Sequence, residues 1–141
     1  MSRRTAREIA LTALYQMDIS RATTRQAFSS AVSFFPGAEE RSVTYAMEIV
    51  EGVSEARGEI DAALRSVLEG WELDRLPVID RNIMRIAIYE LYRRVDVPRS
   101  VSIDEAVELA KIYGSDDDSP RFVNGVLAKV LKGLPENPEQ C

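Results

Sequence analysis

The sequence predicts an all-α fold, and three observations carry that prediction. From Val78 to Tyr92 the chain reads as one helix, and from Ile83 onward it is apolar everywhere except Arg85 and Glu90. Hydrophobicity on all sides of the cylinder means a helix enclosed by others, not one lying on a surface. The segments around it place their apolar residues at helical spacing, and the boundaries between them fall at turn and stop residues: Pro36-Gly37, Gly58, Gly70 and Gly114.

Taken in order, Arg3 to about Ser20 forms a first helix with Ala6, Ile9, Ala10, Ala13, Leu14 and Met17 as its apolar stripe. At about 100° per residue, Arg4 projects nearly opposite that stripe, Arg7 lies on its flank, and Tyr15 falls within roughly 20° of Arg4. Thr23-Thr24 caps a second helix carrying Ala27, Phe28, Ala31, Val32 and Phe35, stopped by Pro36-Gly37. A third runs from about Glu40 to Arg57 over Val43, Ala46, Met47, Val50 and Val53, and Gly58 breaks it. The fourth, over Ile60, Leu64, Val67 and Leu68, ends near Gly70. Trp71, Leu73 and Leu76 make the following connection one that wants burial, with Trp71 as a packing anchor rather than a ligand platform.

Pro77 suits the first turn of the central helix, Asp80 its positive end, and Arg93 and Arg94 its carbonyl end. Ser102-Ile103-Asp104-Glu105 reads as a capping box opening the next helix, with Val101 and Ala106 as a hydrophobic staple. Gly114 ends that helix. Ser119-Pro120 reads as N-cap and first residue of a last helix, whose seam is Val123, Val126, Leu127, Val130, Leu131 and Leu134. Phe122 lies about 110° from the middle of that seam, so it either points outward or tucks sideways into the core. The tail, Pro135 to Cys141, is expected to be loose.

Composition narrows the chemistry. With 141 residues the simplest reading is one domain. There is no histidine, and the single cysteine is the last residue. Catalysis by a Ser-His or Cys-His pair, thiolate metal sites and disulfide frameworks are therefore not expected, and neither a cofactor nor a metal is implied. No apolar run suits a membrane span and no apolar segment follows the N-terminal arginines, so a cytoplasmic protein without enzymatic activity is the expectation. The net charge of −5 is uneven: residues 1–25 hold five arginines and two acids, a surplus of three positive charges, which leaves −8 elsewhere. An acidic body with a basic end suggests a directed contact with an anion.

Guanidinium groups bind phosphates bidentately and aromatic rings stack on unpaired bases, so a face presenting arginines and then Tyr15 suits single-stranded RNA. The plainer alternative is that the arginines merely solubilise a chain end and Tyr15 covers the core edge. Arg121, with the free amides of the last helix's first turn, would make a second small anion site, opposed by the neighbouring Asp118.

Four stretches resemble the NusB family of bacterial transcription antitermination factors. They are RRTAREIALTALYQ at 3–16, WELDRLPVIDRNIMRIAIYEL at 71–91, VSIDEAVELAKIYG at 101–114 and DSPRFVNGVL at 118–127. The resemblance implies about seven helices in two small bundles. The first covers about residues 1–73 and the second about 74–134, packed around the central helix as a single domain. It implies binding to the boxA element of ribosomal RNA operon transcripts jointly with NusE, a protein of the small ribosomal subunit, and delivery to the RNA polymerase antitermination complex. Carried over residue by residue, the RNA contacts become Arg3, Arg4, Arg7, Tyr15, Asp118, Arg121 and Phe122, and the NusE contact becomes Asp80. Alternatives are a purely protein-binding helical adaptor, or an RNA-targeting domain of a larger ribosomal RNA modification enzyme. The second would require the chain to be a fragment, since it ends early and lacks a glycine-rich cofactor loop. Self-association burying the basic helix between two copies is a further alternative.

Overall fold

The computed structural model describes residues 2–135, so the expected loose tail, apart from Pro135, and Cys141 lie outside the described residues. The helices are α1 (Ser2–Ser20), α2 (Thr24–Ser33), α3 (Glu40–Glu55), α4 (Arg57–Val67), α5 (Val78–Arg93), α6 (Arg99–Tyr113) and α7 (Ser119–Lys132), with one 3₁₀ turn at Leu73–Arg75. No strand occurs among the described residues, and none of their helices is long and apolar enough to cross a membrane.

The all-round hydrophobicity of the central helix has the expected consequence. α5 touches α1, α3, α4, α6 and α7, and every residue from Asn82 to Leu91 is buried. α1 lays Ala6, Ile9, Ala10, Ala13 and Leu14 against α2, α3 and α5, while α6 and α7 pack on each other and on the opposite side of the core. Thr23 closes a capping box at α2: its hydroxyl accepts from the Gln26 amide at 3.1 Å, and the Gln26 side chain accepts from the Thr23 amide at 3.0 Å.

α3 and α5 approach closely at Gly52. A Cβ built there would overlap the ring of Tyr89, which is itself only 6% exposed and would have to shift. Gly52→Ala is therefore expected to destabilise the protein by about 1–3 kcal/mol, although alanine is the better helix former by about 1 kcal/mol. Urea unfolding followed by circular dichroism checks this; an unchanged or higher midpoint would mean that the ring slides aside freely.

Four local expectations are corrected. The break between α3 and α4 is at Ala56, not Gly58. Ala56 is buried at 8%, still donates to the Gly52 carbonyl and accepts from the Ile60 amide, so the chain bends at one residue and resumes at once. Ser102 and Glu105 form no capping box, because Pro98 is the cap and its φ of −56° starts α6 four residues earlier. Ser102 is buried inside the helix, and Val101 sits on its outer face at 41% exposure rather than in a staple. At α7 the helix begins one residue early, with Asp118 as N-cap and Ser119 already helical. Trp71 is the fourth correction: it is 59% exposed, not a packing anchor.

Candidate nucleic-acid interface

The basic end of α1 is organised by carboxylates from three other segments. Arg3 donates to Asp96 at 3.2 Å, and its guanidinium lies 4.6 Å from the centre of the Tyr45 ring. Arg94 lies 4.8 Å from the same centre and grips Asp96 with both Nε and Nη2 at 3.0 Å. The Arg94 hydrogen bonds, against a burial effect and with help from Arg3, pull the Asp96 carboxyl down to about 2. Arg4 forms a two-pronged bond to Glu105 at 3.0 and 2.8 Å, which holds that carboxyl below the usual carboxylate range despite partial burial.

Arg7 behaves differently. It is 3% exposed and donates to both oxygens of Glu90 at 3.0 and 3.2 Å. Glu90 is 1% exposed and also accepts from the Tyr45 hydroxyl, while Arg7 approaches Glu105 at 3.6 Å. Arg7 thus lies on the flank of the apolar stripe, as the spacing predicts, with its guanidinium turned inward rather than into the exposed face. A buried carboxylate on α5 needs a cation, and α1 supplies it from the flank of its apolar stripe. Arg3 and Arg4 keep nearly half of their side-chain surface in solvent, and Tyr15 is 37% exposed.

Asp80 is also turned inward. At 3% exposure, one oxygen accepts from the Ser115 amide at 3.1 Å and the other from the Ser115 and Ser119 hydroxyls at 2.6 and 3.1 Å. It ties the α6–α7 connection to the start of α5, so at the position where the resemblance implies a NusE contact the carboxylate is engaged within the chain itself. Asp118 and Arg121 are exposed. Phe122 takes the middle course between the two alternatives: half-buried against the core, it packs edge-to-face on Trp71 with ring centres 6.0 Å apart.

The periodicity of α1 could not reveal these acidic partners, because they lie far along the chain. One signal was nonetheless available. Glu90 and Arg85 interrupt a helix that is otherwise apolar on every side, and such residues must be paired if the helix is enclosed. Glu90 takes Arg7. Arg85 takes Asp61 at 2.8 and 3.1 Å and Asp18 at 2.9 Å.

Fold and site together define a small helical protein in which a basic first helix is fastened to a buried central helix and shows only part of its charge outward. The NusB family model matches residues 4–132. The chain belongs to the NusB family. It is 47% identical to the transcription antitermination protein NusB of Myxococcus xanthus over 136 residues, covering 94% of this chain and 96% of that protein. Its fold matches the T. maritima NusB structure with a TM-score of 0.84 at 36% identity, covering 93% and 91% of the two chains. It also matches a chain in the crystal structure of antitermination factors NusB and NusE in complex with dsRNA. That match has a TM-score of 0.82 at 26% identity and covers 94% and 98%.

Proposed function

We propose that this protein is a cytoplasmic, non-catalytic transcription antitermination factor that binds the boxA element of ribosomal RNA operon transcripts together with NusE. In this reading the pair joins the RNA polymerase antitermination complex. The observation that carries the RNA reading is the outward strip on α1, where Arg3 and Arg4 are half exposed and Tyr15 follows on the same side at 37%. Family membership supports it, as does the solved NusB and NusE complex with RNA. Arg3 and Arg4 hold phosphates, Tyr15 contacts a base, and Asp118, Arg121 and Phe122 extend the contact on α7. Arg7 and Asp80 serve from behind: Arg7 locks α1 to Glu90, and Asp80 fixes the loop from which α7 starts. The division into bundles at about residue 73 belongs to the same reading.

The test is a titration of boxA RNA, single-stranded and duplex, with and without NusE, over a salt series. Each phosphate contact to a single strand contributes roughly 0.7 to the log–log salt slope. Replacing Arg3 and Arg4 together by alanine should therefore flatten the slope by roughly 1.4 and leave the circular dichroism spectrum unchanged. An unchanged slope would move the phosphate contacts elsewhere. Equal affinity for duplex and single strand would remove the role given to Tyr15, since a paired base offers no free face to stack on. Absence of any binding, even with NusE, would favour a purely protein-binding adaptor.

A further inference from the structure

We propose that Trp71 is a nucleobase-stacking residue and that the outer stripe of α7 beside it carries the adjoining phosphates, so that an unpaired RNA strand runs along α7 past the end of α4. The proposal rests on the RNA-binding reading above and extends it from Arg121 and Phe122, assigned there, to Trp71, Lys129 and Lys132, which are not. Trp71 stands at the corner between α4 and α5 with 59% of its surface in solvent. A large aromatic residue left this open, and braced edge-to-face against Phe122 at 6.0 Å, is held in place while the rest of its indole stays available. Tryptophan loses few rotatable bonds on contact and offers a wide π-face to any base.

The charge of the neighbouring stripe selects the occupant. α7 contains Arg121, Lys129 and Lys132 and no acidic residue, on a chain whose net charge is −5. Arg121 and Lys129 line the same shallow groove as Trp71, separated by Gly125. Nothing stands within 4 Å of a Cβ built on Gly125, which leaves the groove floor flat and open. Arg121 and Lys132 enter no ion pair among the described residues. Lys129 has only a 3.9 Å approach to the exposed Glu69 on the groove rim, whereas Arg3 and Arg4 hold carboxylates at 3.2 and 2.8 Å. An aromatic platform flanked by cations about two helical turns apart fits a polyanion carrying flat bases.

Trp71 is the only tryptophan in the chain, so its emission reports on this surface alone. Single-stranded RNA should quench it saturably, with a midpoint that coincides with binding measured by fluorescence anisotropy of labelled RNA. Trp71→Ala should weaken binding about tenfold, within the range for loss of one stacked base, with Trp71→Phe in between and the thermal midpoint unmoved. Lys129→Ala with Lys132→Ala should flatten the salt slope by roughly 0.7 for each phosphate that is no longer held. Anisotropy binding with unchanged tryptophan emission, unaltered affinity in Trp71→Ala, or an unaltered slope in the lysine variant would each overturn the proposal while leaving the α1 reading intact. Quenching by NusE but not by RNA would overturn it in favour of a protein surface. No anisotropy binding by the wild type would remove the RNA-binding reading itself, and this proposal with it.

Discussion

Arg7→Ala is expected to lower the unfolding free energy by about 3–5 kcal/mol, the usual cost of removing one partner from a buried ion pair. The cause is what remains. Glu90, 1% exposed, would lose both guanidinium bonds and keep only the Tyr45 hydroxyl, leaving a buried negative charge without its cation. Arg4→Ala provides the contrast. Its partner Glu105 is nearer to solvent and would rehydrate, so the urea midpoint should hardly move while RNA affinity falls. Urea unfolding by circular dichroism, run beside RNA binding at fixed salt, separates the two roles. Equal, small losses of stability in both variants would show that water reaches Glu90. Glu90→Gln combined with Arg7→Met should recover much of the stability, because a buried pair replaced by groups of similar volume is often close to neutral. Without that recovery, the loss in Arg7→Ala is not an electrostatic one.

This contrast also marks how far the sequence could be read. The helices were legible because their apolar spacing is a local property: α5 was bounded to within a residue of Val78–Arg93, and α1 by its stripe and its arginines. Boundaries failed where an unrecognised local stop competed. Pro98 begins α6 ahead of the Ser102 capping signal, and Ala56 bends the chain ahead of Gly58. At the candidate site, three arginines within five residues look alike in sequence. Their fates differ because their partners arrive from Glu90, Asp96 and Glu105, more than eighty residues away. A helical wheel gives the direction of Arg7 but not what stands there. Trp71 was misread for a related reason: an aromatic next to a helix end suggests burial, yet whether it is covered depends on α7, which packs from far along the chain.

The second large effect is expected at the other pair on α5. Arg85, 2% exposed, holds Asp61 with two bonds and Asp18 with one, and Arg57 reaches both carboxylates from the edge at 3.2 Å. Burial pushes the Asp18 carboxyl up, but the Asn82 hydrogen bond and the charges of Arg57 and Arg85 outweigh it, so its net displacement is downward. A folded value below the unfolded one contributes stability above the unfolded value of 3.8, and that stability disappears as pH falls through the folded value. In Arg85→Met the burial effect on Asp18 would be opposed by Asn82, by the half-exposed Arg57 that Asp18 shares with Asp61, and by Arg81 at the longer distance of 4.0 Å. The loss at pH 7 should again be about 3–5 kcal/mol. Because Asp18 then takes up its proton at higher pH than in the wild type, the gap between the two proteins should narrow steadily as pH is lowered from 7 toward 4. Urea midpoints measured across that interval decide it. A gap that stays constant would mean that the penalty comes from poorer packing around the missing arginine stem rather than from uncompensated charge, since methionine fills volume but leaves both acids in place.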